Sequence, residues 1–230
     1  GLKPIQPLLD KINAVTDVKS LVNTVSEFKK IGSNTLFSDY VYQDAKKSDV
    51  MAYNLTQGGL GLPEREYYFK MDTATINIRN EYVKYMAKIL TMAGEDATVA
   101  ETAAKNILAL ETKLATASRK IEDLRDPYKN YNKMAITDLG KMAGNVDWVS
   151  YLKNTGVQKV DSVIVGQPEF FTALNEALTK IPLSDWKQYV KFNLISDMAP
   201  VLPDAYGVAN FNFTRLFSGL SVVRAKSVVM

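Results

Sequence analysis

Apolar residues in this chain recur mostly at helical spacing, and in one early stretch the spacing shortens to that of strands. Pro4 and Pro7 suit an opening helical turn whose apolar side is Ile5, Leu8, Leu9 and Ile12. Asp17 is placed to cap a second helix carrying Val18, Leu21, Val22, Val25 and Phe28, with Gly32 just past its end. The pattern then turns aromatic and β-branched. Residues 37–43 and 50–56 predict a hairpin around the polar link 44–49, which runs straight into Gln57-Gly-Gly-Leu-Gly-Leu-Pro63.

Helices dominate beyond it. Ile78, Tyr82, Met86, Ile89 and Ala93 form a stripe ending near Gly94. Ala100, Ala103, Ile107, Leu110, Leu114 and Ala117 form the next, with Thr98 and Glu101 spaced as a capping box. The two predict an antiparallel pair. Residues 124–134 read as an irregular link, and short helices are expected around 137–143 and 147–153, the second closed by Gly156. The β-branched run 160–165 suits a short strand or an extended link. Pro168 opens and Pro182 ends a helix with Phe170, Phe171, Leu174 and Leu178. Ser184 is expected to cap one more, carrying Trp186, Tyr189, Val190 and Leu194 to about Met198. Trp148 and Trp186 are expected to pack with one ring edge in water. The fold class is mainly α, a multi-helix domain with one small β-hairpin.

Composition changes this picture chiefly through what is missing. There are no histidines and no cysteines in 230 residues. That excludes a Ser-His-Asp triad, a cysteine nucleophile and any zinc site built on nitrogen and sulfur. The net charge of +3 is interspersed, so no basic stripe points to nucleic acid, and no apolar run reaches the roughly 18 residues of a membrane span. The glycine-rich stretch lacks both nucleotide fingerprints: no glycine follows three residues after Gly61, and no Gly-Lys-Ser/Thr is present there. It reads as a tight turn into a helix opened by Pro63. Paired acids such as Glu122 with Asp123, or Asp44 with Asp49, could do acid–base work, but nothing in the sequence selects a pair. Arg125 and Asp126, flanked by Tyr128 and Tyr131, read either as a grip on a peptide carboxylate or as an ion pair tying the link to the helices. Arg65, Tyr67 and Tyr68 have the same two readings.

The wording of two segments goes further. Residues 57–68 closely resemble the Gly-Leu-Gly-Leu-Pro-(Asp/Glu)-Arg-(Asp/Glu)-Tyr-Tyr signature of the neprilysin and endothelin-converting-enzyme family of zinc metallopeptidases. Arg125-Asp126-Pro127 and Tyr131-Asn132-Lys133-Met134 are similar to that family's Arg-x-Asp-Pro and Tyr-Asn-Lys-Met segment, in the same order. The likeness runs from about Leu2 to Gly219. Departures come late: residues 211–219 are one residue short of the family's pattern, and Arg224-Ala225-Lys226 stands where the family has Arg-Trp-Lys/Arg.

The resemblance implies that residues 1–210 are the helical lid of a zinc-dependent metalloendopeptidase acting on short peptides, and that 211–230 begin the connection to its catalytic lobe. The His-Glu-x-x-His helix of that chemistry is not here. No catalytic or metal residue is therefore assigned to this chain, and zinc is expected in the rest of the parent protein. The implied partners are that catalytic lobe and oligopeptide substrates. Arg65, Tyr67, Tyr68, Arg125, Asp126, Tyr131 and Asn132 are expected either to contact peptide or to hold the lid together. A cysteine-free chain fits a bacterial relative, with an extracytoplasmic location expected. Gly1 and the apolar end at Met230 are read as cuts within a longer polypeptide. The rival reading is a free-standing helical binding or scaffold module.

Overall fold

A computed structural model describes residues 1–33 and 35–218. Its helices are α1 (Gln6–Asn13), α2 (Val18–Phe28), α3 (Thr73–Met92), α4 (Ala97–Ala117), α5 (Ile121–Leu124), α6 (Ile136–Met142), α7 (Trp148–Thr155), α8 (Pro168–Lys180), α9 (Leu183–Met198) and α10 (Asp204–Ser218). The strands are β1 (Ser38–Asp44), β2 (Lys47–Thr56), β3 (Asn132–Ala135) and β4 (Ser162–Val165). The fold is mainly α, as the periodicity predicts.

Asp17 caps α2 in a reciprocal box with Ser20, whose amide donates to Asp17 Oδ1 at 2.7 Å. The predicted pair α3 and α4 is joined through Gly94, which takes a φ of 100°. Asp96 caps α4, accepting from the Thr98 and Val99 amides at 2.9 and 3.3 Å. The expected Thr98–Glu101 box does not form, because Thr98 already lies inside the helix. Ser184 is displaced in the same way. α9 begins at Leu183, directly after Pro182, whose carbonyl accepts from the Asp185 and Trp186 amides.

Both tryptophans differ from expectation. Trp148 and Trp186 are buried, and neither ring keeps an edge in water. Their indole N–H groups donate to the carbonyls of Ala143 and Ala177, at 3.0 and 3.3 Å. Each carbonyl also accepts a backbone amide, from Val146 and Ile181, so the indole takes up its second lone pair and replaces the water that an exposed edge would need. α9 is apolar around most of its circumference, with Trp186, Tyr189, Val190, Phe192, Leu194 and Ile195 all buried. Such a helix must be enclosed, and it packs against α1, α2, α3 and α4.

The hairpin is half of a larger sheet, ordered β1-β2-β4-β3. β1 and β2 are antiparallel, β2 and β4 pair in parallel over Asn54–Ile164 and Leu55–Val165, and β3 runs antiparallel to β4. The run 160–165 thus contains a true strand, and the end of the link 124–134 becomes β3. Val163, Ile164 and Val165 are all buried, which explains why β4 reads as an unbroken apolar run without alternation. The far half of the hairpin stands out from the body, with Tyr42 65% and Met51 60% exposed.

The chain leaves β2 through the glycine-rich turn. A Cβ on Gly59 would lie 2.7 Å from the Leu36 carbonyl oxygen and from Tyr189 Oη, and one on Gly61 would lie 1.8 Å from Tyr82 Oη. Gly59 also has a φ of 75°. These glycines are required by close approach. Pro63 does not open the following helix; Glu64 caps a 3-10 turn, Arg65–Tyr68, accepting from the Glu66 amide at 2.9 Å. α10 runs unbroken through residues 210 and 211, and Phe213 stacks on Tyr85 at 4.9 Å. Residues 219–230, including Arg224-Ala225-Lys226, lie outside the described residues.

Gly61→Ala should lower stability by about 2–3 kcal/mol, since a buried tyrosine would have to move. Gly140→Ala, inside α6 with nothing within 4 Å of the added Cβ, should raise it by about 0.5–1 kcal/mol. Urea unfolding midpoints of the two variants check the opposite signs.

Candidate functional site

The glycine-rich turn is held by side chains arriving from four helical elements. Gly61 N–H donates to Glu111 Oε2 at 3.2 Å, and Leu62 N–H donates to Tyr68 Oη at 3.1 Å. Tyr189 Oη donates to the Gly59 carbonyl at 2.7 Å and accepts from the Leu36 amide at 3.3 Å. Glu111, on α4, is fully buried. Its carboxyl also accepts from Tyr68 Oη at 2.6 Å and Tyr82 Oη at 2.9 Å. Burial pushes that carboxyl up to about 7, against the pull of the hydroxyl and amide bonds, and burial likewise raises Tyr68 and Tyr82.

Outside this knot lies a groove. A cleft of about 330 Å³ is walled by Gly59, Leu60, Pro63, Arg65, Ile121 and Leu124. A depression of about 280 Å³ adjoins it, bounded by Tyr40, Asn54, Asn130 and Gln167. Gln57 and Leu124 line both. Gln57 sets the seam: its side chain accepts from the Arg119 amide at 2.7 Å and donates to the Arg119 carbonyl at 3.0 Å. Arg119 in turn pairs with Glu169 through two guanidinium nitrogens and donates through Nη1 to the Lys129 carbonyl and Asn130 Oδ1, at 2.9 and 3.2 Å. One guanidinium thus fixes the link after α4 against α8.

The model of the N-terminal region of peptidase family M13 matches residues 1–229. The chain belongs to this family. It is 28% identical to neprilysin-3 of Drosophila melanogaster over 79% of this chain and 25% of that protein. It is 23% identical to endothelin-converting enzyme 1 of Cavia porcellus, over 94% of this chain and 30% of that protein. The inhibitor-bound zinc metalloprotease Zmp1 of Mycobacterium tuberculosis superposes with a TM-score of 0.92 at 26% identity, covering 98% of this chain and 35% of that one. The chain therefore spans about a quarter to a third of these M13 relatives.

The M13 fold separates the seven expected site residues. Arg65 walls the cleft; its Nε donates to the Ala115 carbonyl at 3.2 Å, Nη1 pairs with Glu66 at 2.9 Å, and the guanidinium lies 5.0 Å from the Phe69 ring centre. Tyr68 belongs to the buried knot. Tyr67 packs edge-on against Phe217 at 6.0 Å, and its carbonyl accepts from Arg79 at 2.8 Å. Tyr131 and Asn132 lie instead at the sheet, where Asn132 opens β3. Tyr131 Oη donates to Asp44 Oδ1 at 2.8 Å, where Lys133 Nζ also binds Oδ2 at 2.8 Å. Lys133, the Lys46 amide and Tyr131 hold the Asp44 carboxyl down at about 2. Asn132 Nδ2 donates to the Lys129 and Val165 carbonyls, both at 3.0 Å. Asp126 accepts from the Tyr128 and Lys129 amides at 2.9 and 3.1 Å. Arg125 is exposed and makes no side-chain bond among the described residues, so the expected ion pair with Asp126 does not form. Asp126 is turned to its own backbone instead.

The sequence reading missed Glu111, Gln57 and Arg119. Only Glu111 left a signal, as a charge four residues after Ile107 and three before Leu114, on the apolar stripe of α4. The donor set does not fit the family's zinc: the chain has no histidine or cysteine, and the described residues hold no group of three or more His, Cys, Asp or Glu that could bind a metal. No described helix is long and apolar enough to cross a membrane.

Arg119→Lys should cost about 1–3 kcal/mol, because an ammonium cannot reproduce the planar fork. Arg125→Ala should stay within about 0.5 kcal/mol of the parent. Paired urea titrations of the two variants check the difference.

Proposed function

We propose that this chain is the non-catalytic lobe of a zinc-dependent metalloendopeptidase, with the metal and the reacting groups in parts of the polypeptide beyond it. One observation carries the reading. Nearly the whole chain superposes on about a third of a zinc metalloprotease, yet it has no histidine or cysteine, and its described residues hold no group of three or more acids that could bind a metal. The lobe acts as a lid: it encloses a cavity, limits substrates to short unstructured peptides and shields the reaction from bulk water. Residues 1–210 form the lid body and 211–230 lead toward the catalytic lobe. An extracytoplasmic location belongs to the same proposal.

Within the lid, Arg125 is the candidate peptide contact. Arg65, Tyr67, Tyr68, Asp126, Tyr131 and Asn132 are each engaged by the protein itself, whereas the Arg125 guanidinium is exposed and unengaged among the described residues. A planar fork of donors on a surface link suits a peptide carboxylate.

The first test is the intact mass of the native polypeptide, expected at about three to four times this chain's length, the span its relatives imply. A native mass equal to the 25.6 kDa of this sequence would overturn the assignment and leave a free-standing helical module. The whole polypeptide should cleave a short peptide in a zinc-dependent way and spare the same sequence held inside a folded protein. In that polypeptide Arg125→Ala should raise KM about tenfold with kcat little changed, the loss of one contact worth about 1.4 kcal/mol.

A further inference from the structure

Glu111 stands apart from the other buried acids of this fold. Asp39 is buried beside Lys29, and Asp44 is paired with Lys133. Glu111 pairs with no lysine or arginine among the described residues. The groups facing it are Tyr68 from the 3-10 turn, Tyr82 from α3 and Tyr189 from α9; the buried face of α8 is apolar, with Phe170, Leu174 and Leu178. Arg65, at the start of the 3-10 turn, is already bound to the carbonyl of Ala115 on α4 and to Glu66. Tyr68, Tyr82 and the Gly61 amide, three neutral donors, therefore share a carboxyl with no charged partner among the described residues.

We propose that Glu111 is a proton-operated latch on the glycine-rich turn, so that losing its proton favours an opened, hydrated arrangement of the wall of the cleft. The latch has a defined mechanical path. Glu111 Oε2 binds the Gly61 amide, and the flanking residues Gly59, Leu60, Leu62 and Pro63 line the cleft on the other side. In the closed state the carboxyl is dry, which disfavours its charged form. In any opened state that admits water, the carboxyl regains its ordinary affinity for protons. Linkage then fixes the sign: the closed form holds the proton more tightly, so opening releases it and grows easier as pH rises. The carboxyl is raised from 4.5 to about 7, so the window lies between those values and the effect levels off above it.

Hydrogen exchange of the segment 57–68 in the whole polypeptide, corrected for intrinsic rates, tests the latch. Protection should fall by about tenfold per pH unit between roughly pH 5 and pH 7 and then level off. Glu111→Gln should abolish this dependence. Should that variant fail to fold, Tyr82→Phe supplies the second arm. Removing a donor from the charged carboxyl should move the levelling point to higher pH, which a loss of packing alone would not do. Protection independent of pH in the parent, an unchanged profile in Glu111→Gln, or an unmoved levelling point in Tyr82→Phe would each overturn the proposal.

Discussion

The main chain between Gly58 and Leu62 runs without a strand beside it, and side chains satisfy it on its inner side. The missing Cβ atoms let tyrosine hydroxyls and a carboxylate come within hydrogen-bonding distance of Gly59, Gly61 and Leu62. The acid at 111 follows from donor counting. Tyr68, Tyr82 and the Gly61 amide all point hydrogens at one place, and a carboxyl group keeps lone pairs for them in either protonation state. A glutamine would add two donors to a site already supplied with them. The carboxyl's raised affinity for its proton is the counterpart of burying it to satisfy the turn.

The same arrangement recurs at the start of β1. Asp39 accepts from Tyr53 Oη and, at 2.8 Å, from Tyr151 Oη, and here Lys29 stands 3.4 Å away. Burial pushes the Lys29 ammonium down, opposed by Asp39 and Asp197. Buried charges of this kind add little net stability, but they tolerate few alternative arrangements. The two knots grip the hairpin at both of its roots. A third tie, from Asp44 to Tyr131 and Lys133, holds its turn to the edge of β3. Between these points residues 40–43 of β1 and 47–51 of β2 stand exposed.

Most of the helices were legible because each announces itself locally. A 3.6-residue stripe marks α2, α3 and α4, with a cap and a terminal glycine added for α2, and the errors at Thr98 and Ser184 concern only where the first turn begins. β3 and β4 were harder, because each is four residues long and is a strand only through its partner: Asn132 pairs with Val165 across a separation no local pattern reveals. The site was less legible still. Arg119 and Gln57 lie 62 residues apart in sequence and look like ordinary surface polar residues until the fold closes the seam between them. Arg125 and Asp126 invited an ion pair because they are adjacent, but Asp126 reaches its own backbone more cheaply than a neighbouring guanidinium.

The segment most diagnostic of the family is accounted for by packing. Gly61 makes room for Tyr82, Leu62 is buried, Glu64 caps the 3-10 turn, Arg65 ties that turn to α4, and Tyr68 completes the knot on Glu111. Each of these roles is a matter of packing and hydrogen bonding within the fold, and the segment stands in a chain that has no histidine. Buried carboxylates shared among tyrosines define the closed arrangement of the turn better than an all-apolar core, which would tolerate slippage there. Arg125, exposed on the surface link, lies outside this packing, where a substitution costs the fold least.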